Sequence, residues 1–175
     1  MSNVILETKR LRLRELTADD LDFVAAMLED AEVMRFYPSR LDREMSLVWI
    51  ERQRARYARD GHGLWLAIER ETDEPVGQVG LVMHELKGLP RPRYAEIGYL
   101  LHRPFWRRGF ATEAAAGVRD YAFQTLGYDQ VISLIRPENG PSQAVARSLG
   151  MSIIGETEFT GFHTLVFGLA AREAR

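Results

Sequence analysis

The sequence contains no cysteine. That excludes disulfides, thiolate metal sites and a cysteine nucleophile, and it suits a reducing, cytoplasmic compartment. Lysine is almost missing as well: Lys9 and Lys87 are the only lysines among 23 basic residues, and the rest are arginine. The four histidines, His62, His84, His102 and His163, are scattered, with no pair at ligand spacing, so no metal is expected. No stretch approaches the roughly 20 apolar residues of a membrane span. The start, Met1-Ser-Asn-Val-Ile-Leu-Glu7, lacks the basic and apolar regions of a signal peptide. A net charge of only −2 gives nucleic acid no general attraction. Repeats, low-complexity tracts and linkers are missing too. What is present is 175 residues, 46% of them hydrophobic, which is enough for one domain spanning 1–175 with a full core.

The most informative stretch runs from Glu96 to Ala114 and reads as strand, turn, helix. Glu96 to Leu101 is an apolar run with β-formers at Ile97 and Tyr99. Pro104 breaks it. Arg107 to Thr112 reads as a short loop around Gly109. After it, Ala114, Val118, Tyr121, Ala122 and Thr125 recur at helical spacing. Thr112 is the expected N-cap and Gly127 the expected stop. A loop feeding a helix N-terminus exposes unpaired N–H groups at the positive end of the helix dipole, which suits an anion, most often phosphate. Gly109 and Ala111 let a pyrophosphate approach the main chain, and Arg107 and Arg108 add charge. The spacing is neither the Walker lysine loop nor G-x-G-x-x-G, so a nucleoside triphosphate with magnesium is not favoured.

Elsewhere, Leu11 and Leu13 alternate with arginines as a one-faced strand. Thr17 is the expected N-cap of a first helix with a stripe of Leu21, Val24, Ala25 and Leu28. The acidic residues Asp19, Asp20, Asp22, Glu29, Asp30 and Glu32 read as a solvated face. Phe36-Tyr-Pro38 is a loop. Asp42 to Asp60 is a second helix, with Met45, Val48, Trp49, Arg52 and Arg56 on adjoining positions and Gly61 as its stop. Leu64 to Glu69 and Val76 to Met83 form a hairpin. After the central helix come a strand at Gln130–Ile135, a short helix closed by Gly150, and a hairpin of Ile153–Phe159 and His163–Leu169 turning at Thr160-Gly161. The order β-α-α-β-β-β-α-β-α-β-β predicts an α/β (α+β) fold, a mixed sheet with helices on both faces. Gly98, inside the central strand, marks either a bulge with a close backbone approach or simple relief of crowding. Asn139 and Ser142 suit the cap and first turn of the short helix.

The run Glu96-Ile-Gly-Tyr99 followed by Trp106-Arg-Arg-Gly-Phe-Ala-Thr-Glu-Ala114 resembles the acyl-coenzyme A loop of the GNAT superfamily of N-acyltransferases. The family pattern Gln/Arg-x-x-Gly-x-Gly/Ala falls on Trp106 to Ala111. Tryptophan in first place is the form of the Rim-type branch, the N-terminal acetyltransferases of ribosomal proteins and their relatives. The element order also matches, and the resemblance covers nearly the whole chain.

The resemblance implies acetyl-CoA as cofactor and a central mixed sheet with a splayed pair of strands. Arg107, Arg108, Gly109, Phe110, Ala111 and Thr112 would take the pyrophosphate. Tyr99, Leu100 and Leu101 would pair with the pantetheine arm as a pseudo-strand. Asn139 would bond that arm and Ser142 would sit near the sulfur. Phe36, Tyr37 and Trp49, with Met34, would line the acceptor pocket, although plain core roles are equally open to them. Acetyl transfer to an amine needs a neutral amine, a stabilised oxyanion and a protonated leaving group. The tyrosine acid of many relatives is replaced here by Ala146, which leaves Ser142 as the substitute. Glu96 is the candidate base, and no histidine is better placed on sequence. A site so lightly equipped favours an amine of low pKa. An α-amine, at about 7.7–8.0, is already partly neutral, whereas a lysine at about 10.4 is not. The expected activity is direct acetyl transfer to a primary amine, preferably a protein or peptide α-amine. A small-molecule acceptor and a non-catalytic CoA-binding module are the alternatives, and monomer and homodimer both stay open.

Overall fold

The structure, a computed structural model, describes residues 3–174; Met1, Ser2 and Arg175, the ends of the expected 1–175 domain, lie outside the described residues. Eight strands form one sheet: β1 (Val4–Glu7), β2 (Leu11–Arg14), β3 (Leu64–Glu69), β4 (Pro75–His84), β5 (Tyr94–Leu101), β6 (Gln130–Ile135), β7 (Ser152–Phe159) and β8 (Phe162–Ala170). Their spatial order is β1-β2-β3-β4-β5-β6-β8-β7. Among the described residues, only β5 and β6 run parallel. The helices are α1 (Leu21–Glu29), α2 (Arg43–Asp60), α3 (Phe110–Gln124) and α4 (Gly140–Ser148). The predicted mixed sheet is therefore observed, with one more strand than the sequence order contained. β1 is four residues with no alternation in burial, so it carries no periodic signal of its own.

The pleat of the sheet sorts its side chains onto two faces, and the described residues form three buried clusters, the smallest being Leu86, Tyr94, Ile132 and Val166. Leu11 and Leu13 of β2, Trp65 and Ala67 of β3, Val79 and Leu81 of β4, and Ala95 and Ile97 of β5 pack on the stripe Phe110, Ala114, Ala115, Val118 and Ala122 of α3, with Ala146 of α4 at its edge. On the opposite face, Leu66 and Ile68 meet Val24, Met27 and Leu28 of α1 and Ile50 of α2. Completely burying one such side chain is worth about 1.5–3 kcal/mol, so these two layers hold the sheet between them. Thr125, expected on the α3 stripe, is exposed.

Two readings of the first helices change. Asp20 is not on a solvated face. It is 8% exposed, takes both guanidinium nitrogens of Arg14 at 2.7 and 2.8 Å, and accepts the Thr17 N–H at 2.8 Å. Asp30 likewise pairs with Arg103 at 3.1 Å. On α2 the stripe is rotated. Met45 and Val48 are exposed, and the buried face is Ser46, Ile50 and Gln53. Ser46 stays satisfied by bonding the Asp42 carbonyl at 2.7 Å, and Gln53 accepts the Leu64 N–H at 3.1 Å. Local bonds of this kind let polar residues take core positions that hydrophobic spacing assigns elsewhere.

Candidate active site

The loop before α3 is built around Gly109. It is the N-cap, at φ +79°, in the left-handed region that glycine enters without strain. The helix thus begins at Phe110, and Thr112 lies in its first turn instead of capping it. The first bond into the helix is Glu113 N–H to the Gly109 carbonyl at 3.1 Å. Among the described residues, the N–H groups of Gly109, Phe110, Ala111 and Thr112 have no hydrogen-bond acceptor. Such a row of donors at a dipole's positive end is an anion cradle. At the other end Gly127, at φ +72°, turns the chain two residues beyond the Thr125 cap.

The side chains of this loop divide their work. Phe110 is fully buried, so its side chain serves the core and does not reach a ligand. Its ring lies between the guanidinium groups of Arg10 and Arg108, at 4.5 and 4.6 Å. Arg108 is also ion-paired to Glu69 at 2.7 Å, which ties it to β3, while its side chain stays exposed beside the loop. Arg107 is exposed. Glu113 braces the loop from below. It accepts the Thr8 hydroxyl at 2.6 Å, the Arg10 N–H at 2.7 Å and the Arg10 guanidinium at 2.6 Å. Burial pushes its carboxyl up, but those bonds outweigh burial and hold it below the usual carboxylate range.

The second feature is a fork. β5 and β6 share a single register pair, Glu96 with Ile132, and diverge after it. β4 and β5 pair residue for residue through Gly80 and Gly98 without a shift. The splay is present and the bulge at Gly98 is not. A Cβ at 98 would lie 3.2 Å from Leu64, so glycine relieves crowding there. In an antiparallel pair the backbone groups of alternate residues point away from the partner. His102 bonds Val76 of β4, so Leu100 is turned toward β4 and does not belong to the free edge. Tyr99 and Leu101 face the fork. The Ile97 carbonyl there accepts the Ser133 hydroxyl at 2.8 Å, and the Leu101 carbonyl accepts the Trp106 indole N–H at 2.8 Å. What stays open among the described residues is the Tyr99 peptide N–H and carbonyl and the Leu101 N–H.

Across the fork, Asn139 caps α4 by accepting the Ser142 N–H at 3.2 Å, and the Tyr99 hydroxyl donates to the Ser142 carbonyl at 2.7 Å. That phenol pins the start of α4 to β5. Ala146 is fully buried against the α3 core, so its position carries no acid.

On the opposite face of β5, Glu96 points toward the α1–α2 side. Its Oε2 lies 2.5 Å from Nε2 of His84, and both side chains are 16% exposed. Sequence reasoning missed this neighbour, because only the β4–β5 register, Val82 opposite Glu96 and His84 opposite Tyr94, makes the two diagonal partners on one face. The ring of Tyr37 is partly exposed at 36%, but its hydroxyl end is desolvated and near Glu96. Burial first, and the Glu96 charge second, push the phenol up. Tyr99 is raised by burial and then by the charges of Glu96 and Tyr37. Arg56 of α2 is lowered by burial and by Arg52, and is partly compensated by Glu96. Trp49 lines a groove with Met34, Tyr37 and Arg52, while its indole N–H donates to Gln78 at 2.8 Å, so it serves both core and surface. Phe36 is half-buried, and its carbonyl accepts from Arg136 at 3.4 Å. Thus Tyr37 and Arg56 stand on the Glu96 side of the sheet, Phe36 and Trp49 border them, and the Tyr99 phenol lies on the other face against α4.

Comparison with known proteins accounts for this combination of cradle and fork. A family model described as an acetyltransferase (GNAT) domain matches residues 10–152. YoaA, an uncharacterized N-acetyltransferase of Bacillus subtilis (strain 168), is 32% identical over 148 residues, which are 83% of this chain and 81% of YoaA. The crystal structure of an acetyltransferase from Agrobacterium tumefaciens str. C58 superposes with a TM-score of 0.80 at 28% identity, covering 97% of this chain and 95% of that one. RimL, a ribosomal L7/L12 alpha-N-protein acetyltransferase solved with coenzyme A, shares the fold at a TM-score of 0.75 and 14% identity, covering 96% and 98%. Its sequence match, its sheet and the open donors at the start of α3 agree, and the chain belongs to the GNAT family of N-acetyltransferases.

Proposed function

We propose that this N-acetyltransferase transfers the acetyl group of acetyl-CoA directly to a protein or peptide α-amino group, as a Rim-type member of its family. The observation that carries the reading is the place of Glu96, the last residue of β5 paired with β6 and the first before the open backbone edge. The site's open donors fit the cofactor. The N–H groups of Gly109, Phe110, Ala111 and Thr112, with Arg107 beside them, hold the pyrophosphate. Tyr99 and Leu101 pair with the amides of the arm, and Asn139 and Ser142 border its end. When bound, acetyl-CoA supplies a thioester, an acyl group ready for attack by a neutral amine.

The remaining work belongs to the chain. Glu96, directly or through a water, takes the proton of the acceptor amine. Tyr37 and Trp49, with Phe36 at the rim, hold the acceptor over it. Ser142 hydrogen-bonds the sulfur in this reading, and the Tyr99 N–H bonds the carbonyl oxygen. One carboxylate is modest equipment, which suits an amine that is already partly neutral near pH 7. Arg52 and Arg56 on the same side weigh against polycationic acceptors. The alpha-N-protein activity named for RimL supports an α-amine.

The test is acetyl-CoA turnover against a panel: peptides with a free α-amine, the same peptides blocked at the N-terminus but carrying an internal lysine, a polyamine, an amino sugar and free amino acids. The free α-amine peptides are expected to react at least tenfold faster than the blocked ones. Preferential turnover of the polyamine or the amino sugar would replace this acceptor with a small molecule.

A further inference from the structure

We infer that His84 is a positioning residue for the reaction: it donates Nε2–H to one oxygen of Glu96 and so presents the other oxygen to the acceptor amine at the fork. The inference rests on the reading of Glu96 as the proton acceptor.

Three observations meet at this pair. The first is distance. Nε2 and Oε2 are 2.5 Å apart. Two lone pairs at that separation would repel, so a proton lies between them, and an ionised carboxylate can only accept it. The second is register. His84 stands opposite Tyr94, two residues farther from the fork than Glu96. The imidazole is thus behind the carboxylate as seen from the open edge, where it can orient Glu96 without occupying the acceptor's place. The third is support. Phe159 of β7 meets the imidazole edge-on, with centroids 5.0 Å apart and planes at 82°, which limits ring rotation.

Glu96 by itself ends a flexible side chain, and one fixed hydrogen bond removes most of its rotational freedom before the acceptor arrives. The charged and titratable groups around the pair are Tyr37, Tyr99 and Arg56 near Glu96, and Arg59, Glu85 and Arg93 near His84 in a solvent-open depression. Arg59 and Arg93 are both engaged by Asp60, at 2.6 and 3.6 Å, so His84 is the polar group fixed on the carboxylate itself.

The experiment compares Glu96→Gln, His84→Gln, His84→Leu and the double variant Glu96→Gln/His84→Leu, with an alanine-initiated tetrapeptide bearing a free α-amine as acceptor. Glutamine can still donate to Glu96, whereas leucine packs on Phe159 but cannot donate. A positioning role therefore predicts that His84→Leu lowers kcat about tenfold with the KM for acetyl-CoA within twofold, and that His84→Gln recovers most of the loss. A role in packing alone predicts the reverse order. Adding His84→Leu to Glu96→Gln is expected to change kcat less than twofold. Nitrogen-15 NMR of the imidazole, which needs no acceptor, is expected to show the Nε2–H tautomer in the wild type and its loss in Glu96→Leu, which offers Nε2–H no oxygen.

A tautomer indifferent to Glu96→Leu, or kcat in His84→Leu equal to wild type while Glu96→Gln is slow, overturns the role of His84 and leaves Glu96 as base. Full activity in Glu96→Gln overturns the base and this inference together.

Discussion

Gly109 shows how one residue can serve both the backbone and the ligand. Its φ of +79° caps α3, and its missing side chain keeps the row of N–H groups open. A Cβ there would meet only the end of the Arg10 side chain, at 3.4 Å, so the loop itself has room for one. Gly109→Val is expected to cost about 1–3 kcal/mol through the forced left-handed backbone and to weaken CoA binding more than tenfold in calorimetric titration. Gly127→Val is the control, because Gly127 has φ +72° with nothing within 4 Å of a Cβ and lies at the other end of the helix. It should share the stability loss and keep the affinity. Equal CoA affinity in all three proteins would remove the loop from the cofactor site. At this scale the sequence was legible where a residue acts on its own stretch of chain, as at Gly109 in its loop or Asn139 capping the Ser142 N–H. It was not legible where a long side chain chooses among distant partners: Arg108 joins Glu69, and Glu113 joins Thr8 and Arg10.

Among the elements, α3 is held in position at its N-terminal end by the β1–β2 turn. Glu113 takes three donors from Thr8 and Arg10, and Arg10 also bonds the Arg108 carbonyl at 2.9 Å. Hydrogen bonds to a charged group contribute about 1.5–3 kcal/mol each at most. Glu113→Gln, which keeps the shape and loses the charge, is expected to cost about 1–2 kcal/mol at pH 7 and to raise the KM for acetyl-CoA several-fold. The folded protein binds a proton at Glu113 less readily than the unfolded chain. The contribution is therefore complete above the unfolded value of about 4.3 and fades as pH falls through the folded one. Urea unfolding at pH 7 and near pH 3 should show the gap between wild type and variant closing in acid. A gap independent of pH would mean that the brace acts by shape alone.

For the molecule as a whole, His62 links the two halves of the chain. It is 1% exposed. Nδ1 lies 2.9 Å from the Leu81 carbonyl, which requires a proton on Nδ1, so Nε2 accepts from the Tyr128 hydroxyl at 2.7 Å. Burial holds its pKa below the ordinary value, although the Leu81 bond and Asp60 act in the opposite sense. A depressed histidine contributes stability that is complete above the unfolded pKa of about 6.5 and declines as pH falls through the folded value. Protonation would also reverse the Tyr128 bond, because Nε2 would then donate and the hydroxyl would have to accept. The Tm of the wild type should therefore drop as pH falls below about 6.5, and His62→Asn, which cannot be charged, should flatten that part of the curve while lowering Tm throughout. Parallel Tm–pH curves for the two proteins would show that His62 does not drive the acid loss.

Periodicity and local chemistry by themselves determined most elements. β3 and β6 have the bounds expected from the sequence, and the Asn139 cap follows from a bond within a few residues of sequence. The run from Glu96 to Ala114 was enough to point to the family and its cofactor loop. Tertiary structure alone decided what depends on register and on which face an element buries. Those outcomes are the fork without a bulge, Leu100 turned toward β4, the rotated face of α2, Asp20 buried on Arg14, and His84 on Glu96. The physical reason is that a strand or helix pattern specifies which residues share a face. Only the pairing of strands, whose side chains swap faces with a one-residue shift, specifies which groups from distant parts of the chain meet there.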